Sequence, residues 1–168
     1  MIFVTVGTHE QQFNRLVECV DRLKGEGKIT EDVFVQTGFS TYEPQHCQWS
    51  KLIPFDLMKQ YYADARIVIT HGGPASFIDA LKIGKTPIVV PRQAQFGEHV
   101  NDHQVDFAEQ VAKRMGTIIP VYDIAELEAT IQNYDEISRS RGGMVSNNAK
   151  FNEEFTKQVY SLFLEDCL

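Results

Sequence analysis

Short apolar runs alternate with segments whose apolar residues recur at helical spacing, about six times between Ile2 and Ile119. The runs are Ile2–Val6, Val33–Gln36, Leu52–Ile53, Arg66–Thr70, Pro87–Val90 and Thr117–Ile119. Between them Phe13, Leu16, Val17, Val20 and Leu23 fall on one helical stripe, as do Val105, Ala108, Val111, Ala112 and Met115. Shorter stripes carry Leu57, Met58, Tyr61 and Tyr62, and then Phe77, Ile78 and Leu81. Strand–helix alternation of this kind predicts an α/β fold, a Rossmann-like parallel sheet flanked by helices. Crossovers should be right-handed, and ligands should bind outside the carboxyl ends of the strands. The polar loops Gly7–Gln11, Thr37–Ser50, His71–Pro74 and Arg92–Val100 each follow a strand. They are therefore expected to converge on one crevice.

Punctuation residues set the boundaries. Gly25 to Gly27, Gly84 and Gly116 are placed to end helices, and Asp56 and either Asn101 or Asp102 to start them. Asp123 with Glu126 has the spacing of a capping box. Asp135–Gly143 reads as a loop, and Phe151, Phe155, Val159, Leu162 and Phe163 as the stripe of a final amphipathic helix. No repeat or interdomain linker interrupts the 168 residues, so residues 1–168 are expected to form a single domain.

Composition narrows the function classes. The net charge of −7 argues against wholesale nucleic-acid binding. No apolar run approaches the ~20 residues that span a bilayer. The opening Met-Ile-Phe-Val-Thr-Val-Gly lacks a basic segment and reads as a strand, not a signal peptide. Cys19, Cys47 and Cys167 match no zinc or CxxC spacing, which fits free thiols in a reducing cytoplasm.

The most informative stretch is Thr70-His71-Gly72-Gly73-Pro74-Ala75-Ser76-Phe77-Ile78-Asp79. A strand runs into two glycines and then into a helix whose first position suits Pro74. Such a turn aims backbone N–H groups and a positive dipole end at an anion, a phosphate for example. Asp79, further along the helix, is placed either to accept from the hydroxyls of a ribose or to sit solvated on the surface. Ser76 either adds a phosphate contact or satisfies the first helical turn. Gly7-Thr8 is a second glycine turn, open to the same two readings, phosphate contact or plain connection; it is neither GxGxxG nor a Walker A loop. Arg92 to Gln104, with Glu98, His99, Asn101, Asp102, His103 and Gln104, is dense in donors and acceptors of the kind sugar hydroxyls demand. His99 and His103 are four apart, but no HExxH pattern is present and no metal is expected.

Three blocks taken together, His71–Asp79, Gly84–Pro91 and Gly97–Gln104, resemble the donor-binding half of a GT-B glycosyltransferase. The likeness is to the C-terminal domain of glycosyltransferase family 28. Within it, the chain looks like the stand-alone proteins of bacterial exopolysaccharide and capsule clusters. It is also similar to the catalytic subunit of the two-part UDP-GlcNAc transferase of dolichol-linked oligosaccharide synthesis. Phe3 to Thr8 matches as well.

The resemblance implies a UDP-sugar donor and no required cofactor. Gly72, Gly73 and Ser76 would lie by the diphosphate with the helix N-terminus, and Gly7, Thr8 and His71 are further candidate donor-binding residues. Asp79 would meet the ribose, one methylene shorter than the family's usual Glu. Glu98 and His99 would stand where the family places its sugar-contacting pair, with Asn101, His103 and Gln104 beside them. The implied reaction is inverting displacement at the anomeric carbon, with His9 as the candidate general base unless a partner supplies it. The acceptor half is expected on a separate membrane-anchored subunit that presents a lipid-linked saccharide at the cytoplasmic face of the membrane. A non-catalytic, nucleotide-sugar-binding regulatory subunit is the alternative, and a two-domain epimerase is disfavoured by length.

Overall fold

The computed structural model describes residues 1–141. Six strands, β1 (Ile2–Thr5), β2 (Val33–Gln36), β3 (Gln48–Ser50), β4 (Ile67–His71), β5 (Ile88–Val90) and β6 (Ile119–Pro120), form one sheet in the order β3-β2-β1-β4-β5-β6. Every pairing is parallel. The order reverses at β1, whose neighbours are β2 and β4, and that reversal opens a crevice at the carboxyl edge.

Successive side chains of a strand point to opposite faces, and the core divides accordingly. Ile2, Val4, Ile67, Ile69, Ile88 and Val90 face one layer with Leu16, Val17, Val20 and Leu23 of α1 (Asn14–Gly25). The same layer takes Leu127 and Ile131 of α5 (Leu127–Gln132) and Tyr134 of α6 (Tyr134–Arg139). Phe3 and Val68 face the other layer, against Tyr62 of α2 (Phe55–Asp64) and Ala80 of α3 (Pro74–Lys82). Val89 also points that way, toward Phe77 and Leu81 of α3 and Ala108 of α4 (His103–Met115). Each fully buried Val, Ile, Leu or Phe contributes roughly 1.5–3 kcal/mol, so the two faces together hold the sheet between its helices.

The expected boundaries need four corrections. The edge strand is Gln48–Ser50, not Leu52–Ile53; Leu52 is exposed. A strand with one neighbour needs no apolar face, and Trp49 alone packs inward. Asp56 lies inside the first turn of α2, whose cap position is Pro54. Asp135–Arg139 is helical, not looped, anchored by Tyr134 and Ile137. Asp102 occupies the cap position of α4, but its carboxylate accepts from the Ala94 N–H (2.8 Å) and not from its own helix.

Asp123 does cap, accepting from the Ala125 N–H at 3.0 Å, but the Glu126 side chain does not complete the expected capping box. Gly84 and Gly116 close α3 and α4 with φ of 76° and 62°. The thiols of Cys19 and Cys47 are free. The expected helix carrying Phe151 to Phe163, and Cys167, lie outside the described residues. Among the described residues, no helix is long and apolar enough to cross a membrane.

The long loop 37–47 is ordered by one carboxylate. Asp21, buried on α1, accepts from Tyr42 Oη (2.8 Å) and from the N–H groups of Gln45 (2.9 Å), His46 (2.8 Å) and Cys47 (3.0 Å). Burial alone would raise its pKa, but these donors hold it below the ordinary carboxylate value.

Candidate functional site

Strand β4 ends at His71, and α3 begins at Pro74 with Gly73 as its cap residue and no side-chain cap. Pro74 has no N–H and the Ser76 N–H donates to the Gly73 carbonyl at 3.2 Å, so the Ala75 N–H and the positive dipole end are left for a ligand. They face a cleft of about 410 Å³ lined by Thr5, Gly7, Thr8, His9, Gln36, Met58, His71, Ala75 and Ser76. Residues from the ends of β1, β2 and β4 meet here, as the strand order requires. Thr5 and Gln36 form a buried floor, with Thr5 Oγ1 donating to Gln36 Oε1 at 2.5 Å and accepting from Gly7 N at 3.2 Å.

The imidazole of His71 is wedged between two glycines. A Cβ on Gly7 would stand 2.5 Å from His71 Cε1, and one on Gly73 would collide with His71 Nε2. Gly7 also has φ of 75°, a conformation that L side chains resist. Both glycines are therefore required for the ring to lie where it does. Burial, reinforced by the Arg92 charge and by His9, pulls the His71 pKa down to about 4. The ring is neutral at physiological pH, and its Nδ1 is buried without a hydrogen-bond partner among the described residues.

Gly72 is backed by Gln104, whose Cβ would lie 2.9 Å from a Cβ at Gly72. Gln104 is buried, and its Oε1 accepts from Arg92 N at 3.2 Å. Gln104 thus supports the glycine turn from behind and does not line the cleft. Ser76 is held from α2, where Tyr62 Oη donates to its carbonyl at 2.8 Å.

Asp79 lies one turn beyond Ser76 and half exposed, paired with Lys82 at 2.9 Å. It borders a second cleft of about 370 Å³ between α2 and α3, together with Phe55, Met58, Lys59, Tyr62, Lys82 and Ile83. Met58 lines both clefts, so they adjoin.

Four of the chain's five histidines gather at this edge. The rings of His9 and His99 lie 4.7 Å apart between centroids, and those of His99 and His103 4.5 Å apart. His9 Nδ1 accepts from Gln11 N at 3.2 Å, and His99 Nδ1 accepts from Asn101 N at 3.4 Å. A backbone N–H only donates, so each neutral ring carries its proton on Nε2. That nitrogen is a donor; His9 acts as a base only after giving up the Gln11 contact. Asn101 Oδ1 in turn faces His103 Nδ1 and accepts from His103 N at 3.3 Å. Burial, with the nearby His103, His9 and Arg92, lowers the pKa of His99.

Glu98 departs from expectation. It is fully buried, its carboxylate gripped in two-pronged fashion by Arg15 of α1 at 2.9 Å and 2.9 Å, with Gln93 N donating at 3.0 Å. A buried carboxylate demands such a partner, and this one turns away from the crevice. Of the expected pair Glu98 and His99, it is His99 whose ring lies at the crevice edge, beside His9.

Sequence reasoning missed four residues: Thr5, Gln36, Met58 and Arg92. The first three lie at or near strand or helix ends and carry no local signature. Arg92, read as the start of a polar loop, is entirely buried.

Comparison with known proteins places this geometry. Residues 1–162 match the family described as the glycosyltransferase family 28 C-terminal domain. The UDP-N-acetylglucosamine transferase subunit ALG13 of Yarrowia lipolytica is 34% identical over 55 residues, which are 33% of this chain and 26% of that protein. The glycosyltransferase SnogD of Streptomyces nogalater superimposes with a TM-score of 0.55 at 17% identity, over 82% of this chain and 36% of SnogD. The kitacinnamycin glycosyltransferase gives 0.52 at 19%, over 82% of this chain and 38% of its own. The chain therefore spans little more than a third of either enzyme structure. The chain shares its fold with a part of each of these structures, and it belongs to the glycosyltransferase family 28 C-terminal domain family.

Proposed function

We propose that this chain is the donor-binding, catalytic subunit of an inverting, UDP-sugar-dependent glycosyltransferase. The observation that carries the reading is the uncapped N-terminus of α3, opening beside neutral His71 into a cleft that Gly7, Thr8 and Ser76 share. The diphosphate sits over Gly72, Gly73 and Ser76, where N–H groups and the helix dipole stabilise the charge that grows on the leaving group. The nucleoside runs into the adjoining groove between α2 and α3, its ribose on Asp79 and its base toward Phe55 and Met58. The donor sugar points to His9, His99 and His103.

In the resting tautomer His9 and His99 are donors, which suits contact with sugar hydroxyls. The base that deprotonates the acceptor hydroxyl then comes from the acceptor half, or from His9 after release of Gln11. The acceptor half is a membrane-anchored partner presenting a lipid-linked saccharide, as in exopolysaccharide or capsule synthesis. That partner holds this subunit at the inner face of the plasma membrane. The similarity to a transferase subunit supports this division.

Calorimetry with UDP and a panel of UDP-sugars, followed by sugar transfer to membranes with and without the partner, tests the proposal. Failure to bind UDP refutes the donor site. Binding without transfer in any combination leaves the regulatory-subunit reading in its place.

A further inference from the structure

Arg92 heads the large side chains fully hidden from solvent. Among the described residues no carboxylate bonds to it. Its Nη1 donates to the carbonyls of Gln11 (2.9 Å), Gln12 (2.9 Å) and Glu98 (3.1 Å), and its Nη2 to the carbonyl of Val6 (2.9 Å). The guanidinium lies over the Phe13 ring, 4.8 Å from its centroid. Its Nε is buried without a partner.

Burying a cation is costly; the Phe13 ring and the nearby Glu98 charge help offset it, but every hydrogen bond it makes goes to a backbone carbonyl, so the place of those carbonyls matters. Val6, Gln11 and Gln12 belong to the loop after β1, and Glu98 to the loop after β5. In the sheet β4 separates β1 from β5, so no ladder joins the two loops. The rigid planar fork of a guanidinium spreads its donors over two nitrogens and spans acceptors that the single nitrogen of an ammonium, with its three donors at one point, does not bridge in the same geometry.

The two loops carry His9 and His99, respectively two residues before Gln11 and one after Glu98. Their rings meet across the end of β4. We propose that Arg92 is a positioning residue, a clamp between the loops after β1 and β5 that sets His9 against His99 at the mouth of the crevice. The clamp deepens the donor-site reading, since it would fix the groups that face the donor sugar. The charge acts in the same sense: after burial itself, Arg92 is a cause of the low proton affinity of His71, and it contributes at His99.

The test is Arg92→Lys, which keeps the charge and loses the fork. In the wild type, NMR should show cross-relaxation between the ring protons of His9 and His99. In the folded variant that contact should vanish while the sheet amides keep their dispersion, an effect that a general loss of stability does not mimic. Affinity for UDP should stay within about a factor of two, while the tighter binding of UDP-glucose or UDP-N-acetylglucosamine over UDP should fall by about tenfold.

Persistence of the ring contact in folded Arg92→Lys overturns the clamp. So does an equal loss of affinity for UDP and for the UDP-sugars. If the wild type binds none of these nucleotides, the donor reading fails, and the ring contact alone decides the clamp. Should Arg92→Lys not fold, the wild-type guanidinium decides it. Slowly exchanging, non-rotating Nη protons close to residues 11 and 12 support the clamp, and a freely rotating group overturns it.

Discussion

Gly7 and Gly84 offer a matched pair. Their φ angles are 75° and 76°, so an alanine suffers the same backbone strain at either place. Their surroundings differ: a Cβ at Gly84 meets nothing within 4 Å, whereas one at Gly7 meets three atoms of the His71 ring, the nearest at 2.5 Å. The left-handed backbone costs an L residue roughly 1–2 kcal/mol. The smaller unfolded-state entropy of alanine returns roughly 0.4–1 kcal/mol. Gly84→Ala should therefore lose about 0–1.6 kcal/mol and leave nucleotide binding intact. Gly7→Ala adds the displacement of a buried imidazole, an overpacking cost of about 1–3 kcal/mol. It should lose about 1–4.6 kcal/mol in all, more than Gly84→Ala by the overpacking cost, and weaken UDP binding, because the displaced ring sits beside the α3 N-terminus. Urea unfolding, with the slope checked for constancy, and calorimetry with UDP measure both quantities. Equal destabilisation of the two variants, or undiminished UDP affinity in Gly7→Ala, would show that His71 is not wedged as described.

Glu98→Gln should cost about 3–5 kcal/mol, because it takes the charged partner from Arg15, whose side chain is 12% exposed; a stable variant with weakened sugar-nucleotide binding would instead return Glu98 to the crevice. Asp79→Ala should weaken UDP binding by about tenfold through loss of the charge-assisted ribose contact, with stability changed by less than about 1 kcal/mol because the Lys82 pair is exposed. Unchanged affinity removes the ribose assignment. His71 holds protons less readily folded, at about 4, than at its ordinary 6.5, so the unfolded chain gains the proton first as pH falls. Stability is complete above about pH 6.5, drops as pH falls toward about 4 and then levels, by at most about 3 kcal/mol. His71→Asn should lack that component, and identical pH slopes in urea unfolding would refute it. Asp21→Asn should release loop 37–47 to limited proteolysis, by removing charge from the acceptor of four hydrogen bonds; an unchanged cleavage pattern counts against its role.

What was legible in the sequence followed from periodicity. Ile2 and Val4 face one layer and Phe3 the other, and that alternation, repeated at Ile67, Val68 and Ile69, marks a two-sided sheet without any long-range knowledge. The glycine turn at His71 to Pro74 was legible for the same reason: its backbone demands are local. The edge strand at Gln48–Ser50 was not, because one neighbour and one inward Trp49 leave no periodic trace. Glu98 and Arg92 show the other limit. Glu98 meets Arg15 across 83 positions, and Arg92 meets Val6 across 86. Their polar side chains look solvated in any local window, and only the closed fold makes them interior. The residues that hold the crevice in shape are thus the ones that periodicity assigns to the surface. Buried charges anchored on partners distant in sequence are where a reading of this crevice from sequence alone should be expected to fail, and where mutagenesis will tell most about how its two rims are held together.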